Sequence, residues 1–174
     1  ANWNDRGMTC RYNSDRGRWK KAKKMLGTEK LYTAAQTRAL DHCAIHEHHI
    51  PGITLMSRAA DAAFRYLLAS WPAPECLQVM CGTGNNGGDG FLIADLAHKR
   101  GIDVTVYQLG DAGKIGGDAM LARQQALANG VKMEPFAGAA LAPAGVIVDA
   151  MLGTGLAGDV RGVYVDAINA INES

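Results

Sequence analysis

Five glycines in nine residues, Gly82-Thr83-Gly84-Asn85-Asn86-Gly87-Gly88-Asp89-Gly90, are the most chemically loaded string in the chain. The string follows a short apolar run, 77–81, and precedes an apolar helical pattern, 91–100. At such a strand-to-helix junction, bare backbone N–H groups can bind phosphate. Gly82, Gly84 and Gly87 fit G-x-G-x-x-G, which by itself is a weak dinucleotide signal. The next strand should then end in an acid for the ribose hydroxyls, but Gln108 stands there, and Asp103 comes only at its start. Asn85, Asn86 and Asp89 add side-chain oxygens that suit a hard cation or sugar hydroxyls. A plain tight turn needs one or two glycines, not five. The string is therefore read as a ligand-binding loop.

A second string runs Asp149-Ala150-Met151-Leu152-Gly153-Thr154-Gly155-Leu156-Ala157-Gly158-Asp159. Asp149 directly follows the apolar strand pattern 145–148, and the carboxyl edge of an open α/β sheet is where ligands sit. A bare strand-capping role for Asp149 is the bland alternative. Gly153, Gly155 and Gly158 make another phosphate-competent turn before a last helix, 163–172. Two such loops at one sheet edge imply a shared cleft.

Other reactive side chains are less organised. His42 and His46 are four apart, as zinc ligands can be, but the string His46-Glu47-His48-His49 contains no H-E-x-x-H, so a solvated helix end is expected. Cys10, Cys43, Cys76 and Cys81 show no metal spacing and read as reduced thiols of a cytoplasmic chain. Cys81 adjoins the first loop, but no base is near it in sequence.

The elements that must hold these loops follow from periodicity. Thr33 and Gln36 form a capping box for a helix to about His48, before Pro51-Gly52. A second helix is expected over 54–70, with Leu55, Ala59, Ala62, Ala63, Tyr66 and Leu67 on its apolar side. Strand patterns at 77–81, 104–109, 131–134 and 145–148 alternate with helices at 91–100, 118–129 and 163–172. That alternation predicts right-handed crossovers and a Rossmann-like three-layer α/β sandwich, mostly parallel, with two extra N-terminal helices.

With 174 residues, one domain is expected. A content of 48% hydrophobic and 20% charged residues excludes disorder as the dominant state. No apolar run is long enough to span a membrane. Residues 1–30 hold nine basic against three acidic residues, net +6, and residues 31–174 nine against fourteen, net −5. The acidic body argues against non-specific nucleic-acid binding. Residues 1–27 keep no sustained period and read as a disordered or non-native basic extension, with the domain over 28–174.

The two glycine strings together resemble the NAD(P)H-hydrate epimerases, the YjeF N-terminal domain family. Tyr32-Thr33-Ala34-Ala35-Gln36, Ile50-Pro51-Gly52 before Leu55-Met56, Arg161-Gly162 and Ile168-Asn169-Ala170-Ile171-Asn172 are similar to it as well. Ser57 and Ala60 depart from its pattern, which often has Glu and Gly there. The resemblance implies epimerisation of the R and S forms of hydrated NADH and NADPH, a repair of damaged cofactor. It implies substrate contacts at Asn85, Asn86, Gly87, Gly88 and Asp89, and phosphate contacts over Gly153, Thr154, Gly155, Leu156, Ala157, Gly158 and Asp159. It further implies one potassium ion on Asn86 and Asp149, and a fused or separate ATP/ADP-dependent dehydratase. A homo-oligomer stays open. Asp149 is the expected catalytic carboxylate, for protonating the leaving hydroxyl and for stabilising positive charge. A hydride-transferring oxidoreductase, a non-catalytic scaffold and an inactive fragment are the alternatives. The family continues beyond the last helix into a further strand and an Asp-Ile-Pro-Ser-Gly-Leu-like segment with a further substrate Asp and a potassium Ser. Without that strand, an open sheet edge is expected.

Overall fold

The computed structural model describes residues 9–11, 32–138, 141 and 145–174. They form one five-stranded sheet. Strand β1 is Thr9–Arg11, and the central strands are β2 (Cys76–Cys81), β3 (Asp103–Gln108), β4 (Lys132–Pro135) and β5 (Val146–Ala150), which are mutually parallel. Their order across the sheet is β1-β5-β2-β3-β4. The expected fold class is therefore the observed one. β2 and β5 are buried almost throughout, because helices cover both faces of a parallel sheet.

β1 pairs antiparallel with β5, placing Thr9 opposite Asp149 and Arg11 opposite Ile147. The outer edge of β5, expected from sequence to be open, is thus paired over these three positions. Too short to show a period, β1 leaves no trace in the sequence pattern. The rest of the expected extension, apart from these three residues, lies outside the described residues.

Helices α1 (Ala34–His42), α2 (Gly52–Ser70), α3 (Asn85–Lys99), α4 (Gly117–Ala128) and α5 (Val163–Glu173) complete the layers. Leu77, Val79 and Cys81 of β2 and Val146, Val148 and Ala150 of β5 pack under α2, α3 and α4. On the other face Met80 and Ile147 pack with Ala167 and Ala170 of α5. The alternation is the two-residue period of a strand.

The Thr33 box forms as expected. Gln36 N donates to Thr33 Oγ1 at 3.3 Å, and Thr33 N donates to Gln36 Oε1 at 2.8 Å. α1 then passes into a π-helical turn, Cys43–Glu47. α2 starts at Gly52, two residues before its expected start, with Pro51 at its N-cap. Its buried face is Met56, Ala60, Phe64 and Leu67, about one position from the expected stripe, and Tyr66 is exposed. The large side chains Met56 and Phe64 set the face, four residues apart from Ala60.

α3 is the central helix, packed between α2 and α4. Asp95 is buried in it and accepts hydrogen bonds from Lys99 Nζ at 2.7 Å, Gln125 Nε2 at 2.7 Å and Asn129 Nδ2 at 2.8 Å. Burial alone would raise this carboxyl; the three hydrogen bonds and the Lys99 charge outweigh that and hold it below the ordinary carboxylate range. Stability from this tie is present above the unfolded pKa and is lost as pH falls through the lowered one. Asp95→Ala should cost about 2–3 kcal/mol in a urea melt at pH 7, because two α4 amides lose a charged acceptor.

Candidate active site

The first glycine string is built differently from its sequence reading. Asn85 to Gly90 are not a loop before the helix; they are the opening turns of α3, whose N-cap is Gly84. Glycine's poor helix propensity is overridden by close packing. A methyl group at Gly87 would meet the Gly82 carbonyl, and one at Gly90 would lie 2.6 Å from Ala150 Cβ and 2.7 Å from Cys81 Sγ. The glycines let α3 settle directly on the ends of β2 and β5. Its first N–H groups therefore open onto the carboxyl edge of the sheet.

Asp149 is likewise inside β5 rather than after it, opposite Met80. By strand alternation it shares the α5 face with Ile147. It is buried, and its Oδ1 accepts from Met151 N at 3.0 Å. Asn86 joins the two strings: its Nδ2 donates to Leu152 O at 3.2 Å, and a methyl at Gly153 would lie 3.0 Å from Asn86 Cβ. The two strings thus meet over the carboxyl ends of the adjacent parallel strands β2 and β5.

Beyond Gly153 the second string is exposed. Leu156 N donates to Gly153 O at 3.1 Å, closing a turn around Thr154 and Gly155. Gly158 at φ +79 and Gly162 at φ +58 take left-handed conformations on either side of Asp159 and Arg161, which form a loose ion pair at 3.9 Å. Ala157 and Asp159 are exposed in this turn.

Two residues on α1 reach this region without any sequence signal for a site. Arg38 Nη1 donates to Thr154 O at 3.2 Å, and Asp41 acts electrostatically on Asp89. On a helix exposed almost all round, a charged pair three apart looks like any solvated face.

Asp89 is half-buried, and burial, with the Asp41 charge as a lesser cause, pushes its carboxyl up to about 7. A raised folded pKa stabilises fully below the unfolded value, near 3.8, and that stability is lost as pH rises toward about 7. The loss across that window is on the order of 4 kcal/mol. Asp89→Asn cannot ionise, so its melting temperature should fall less than the wild type's between pH 4.5 and 8.

The remaining candidates resolve plainly. Gln108 is buried and its Oε1 accepts from Arg123 Nε at 2.8 Å, so it is turned to α4 rather than held for a ribose. The Cys81 thiol is fully buried, which pushes its pKa well up and makes it a poor nucleophile. The His42 and His46 rings stack 4.3 Å apart, and among the described residues no group of three His, Cys, Asp or Glu converges for a metal. A cavity of about 340 Å³ lined by His98, Asp103 and Lys132 lies at the opposite, amino end of β3 and β4 and contains no residue of either glycine string.

For a potassium ion, the chemistry of the donor set fits. The Asn86 amide supplies one oxygen and the Asp149 carboxylate two, the Leu152 carbonyl lies beside Asn86, and a hard cation takes oxygen ligands.

A parallel α/β sheet with two glycine-rich segments over the carboxyl ends of neighbouring strands defines a Rossmann-like α/β domain. The YjeF-related protein N-terminus family matches residues 52–174, and the chain belongs to that family. It is 43% identical over 144 residues to the "Bifunctional NAD(P)H-hydrate repair enzyme Nnr" of Coxiella burnetii, covering 83% of this chain and 29% of that protein. It is 38% identical over 149 residues to the "NAD(P)H-hydrate epimerase" of Limosilactobacillus reuteri strain DSM 20016, covering 84% of this chain and 69% of that one. The chain thus spans under a third of the bifunctional relative. The crystal structure of the yeast protein ynu0, YNL200c, shares the fold, with a TM-score of 0.68, 15% identity, and coverage of 83% of this chain and 65% of that one. Among the described residues no helix is long and apolar enough to cross a membrane.

Proposed function

We propose that this chain epimerises hydrated NADH and NADPH, interconverting their R and S forms. The observation that carries the reading is the Asn86–Leu152 link, which ties both glycine strings together at the end of the strand that carries Asp149. The curated relatives named as epimerases support it.

The hydrated ring carries a hydroxyl on the carbon next to its nitrogen. The nitrogen lone pair expels that hydroxyl, leaving a cationic iminium, and water returns to either face. The buried Asp149 carboxylate stabilises the positive charge that develops. The N–H groups opening α3 and the turn Gly153–Asp159 bind the dinucleotide phosphates, and Asn85, Asn86 and Asp89 contact the hydrated dinucleotide. Asn86 and Asp149 would hold a potassium ion, which when bound supplies a fixed positive charge that orders oxygen ligands and water. The free thiols Cys43, Cys76 and Cys81 support a reducing, cytoplasmic setting. An ATP/ADP-dependent dehydratase, fused or separate, would consume the epimer formed.

The test is chromatographic. One purified epimer of hydrated NADH, incubated with the protein in potassium buffer, should equilibrate with the other well above the uncatalysed rate. Replacing potassium by tetramethylammonium should slow it. Equilibration at the uncatalysed rate in both buffers overturns the proposal.

A further inference from the structure

The second string opens with a β-turn whose corners are Gly153 and Leu156, closed by Leu156 N donating to Gly153 O at 3.1 Å. Its central peptide joins Thr154 to Gly155. The two common forms of such a turn differ chiefly in that one peptide. The second central residue has φ of about −90° in type I and about +80° in type II, so passing between them turns the central peptide over. Glycine at that position admits both. Gly155 lies outside the left-handed region, unlike Gly158 and Gly162, so the turn is not type II. Packing does not enforce this choice. Thr154 and Gly155 are exposed, and among the described residues nothing beyond its chain neighbours lies within 4 Å of a methyl built on Gly155.

The contact that does bear on the choice comes from α1. Arg38 Nη1 donates to Thr154 O, the carbonyl of the central peptide, at 3.2 Å. α1 buries none of its residues, whereas a helix kept only for core packing would bury an apolar stripe. In a trans peptide the C=O and N–H point opposite ways. With the carbonyl drawn toward Arg38, the Gly155 N–H faces away from it. Backbone N–H groups held in a turn bind anions. A flip would put a carbonyl oxygen where that N–H stands, and the oxygen would repel a phosphate.

We propose that Arg38 is a positioning residue that pins the Thr154–Gly155 peptide, so that the Gly155 N–H stays available to a dinucleotide phosphate. This rests on the epimerase reading, in which Gly153–Asp159 bind the phosphates. Only the unflipped turn is then competent to bind. Apparent affinity falls with the competent fraction, so loss of the pin is read as a rise in KM. The phosphate is held alike before and during C–O cleavage, so kcat is spared.

The experiment combines steady-state kinetics on hydrated NADH with the NMR Overhauser contact between Thr154 Hα and the Gly155 amide hydrogen in the free protein. That contact is short in a type II turn, where ψ of the first central residue is about +120°, and longer in type I. In Arg38→Ala, KM should rise about tenfold as the competent share falls to about a tenth, and kcat should change less than about twofold. The Overhauser contact, weak in wild type, should become strong. Adding Gly155→Ala should weaken it again, because alanine resists a positive φ. Arg38 is exposed, so the melting temperature should move by no more than about 2 °C. An unchanged KM overturns the proposal. So does a raised KM with a weak contact, which would make Arg38 a direct phosphate contact or a general prop. A strong contact that persists with Gly155→Ala overturns it as well. Wild-type protein that does not epimerise overturns the epimerase reading instead, and the Overhauser contact then decides the pin alone.

Discussion

Asp149→Asn should lower epimerase turnover by about 100-fold or more, the scale on which a positioned acid–base or charged group contributes. The substitution keeps the size of the side chain and leaves an oxygen to accept the Met151 N–H, so the end of β5 keeps its shape. What is lost is the negative charge that the proposed mechanism sets against the iminium. The effect should fall on kcat more than on KM, because the cation exists only after the hydroxyl leaves. Turnover within a factor of two of wild type would move the charge-stabilising role to another group.

Gly87→Val should abolish dinucleotide binding in calorimetry and also weaken the fold. From sequence alone, the same substitution would be expected to remove binding while leaving the circular dichroism native. The structure changes that expectation, because the new side chain meets the backbone carbonyl of Gly82 rather than an open loop. Neither partner is the end of a flexible side chain, so α3 must shift off the sheet. Overpacking of this kind costs about 3 kcal/mol, or about 10 °C in melting temperature for a domain of this size. Gly84→Ala is the control: nothing lies within 4 Å of an added methyl, and Gly84 has φ −95. Its stability should stay within about 0.5 kcal/mol of wild type. A native melting temperature for Gly87→Val would contradict the packing of α3 on the strand ends.

The elements with local chemistry are legible in the amino-acid sequence. Thr33 and Gln36 announce the start of α1, and the runs at 77–81, 104–109 and 145–148 become β2, β3 and β5 within a residue or two. The two glycine strings and their common sheet edge are legible in the same way. What escapes is set by tertiary contact. Helix α3 begins six residues before its apolar pattern, because Gly87, Gly88 and Gly90 are selected by neighbours in β2, β5 and α2 and not by helix propensity. The buried side of α2 follows Met56 and Phe64, and their greater bulk outweighs a stripe drawn through alanines. Asp149 sits one residue deeper in its strand because β2 supplies ladder partners up to Ala150. Arg38 carries no periodic mark at all; only the fold brings it to Thr154.

Above all, the cleft is proposed to break and remake one C–O bond beside the ring nitrogen. That chemistry is tested most directly by running the reaction from one epimer of hydrated NADH in water enriched in oxygen-18 and following both configuration and mass. With the uncatalysed rate subtracted, the inverted product should carry one solvent oxygen per molecule. Inversion that retains the original oxygen, or no inversion above the uncatalysed rate, would contradict it.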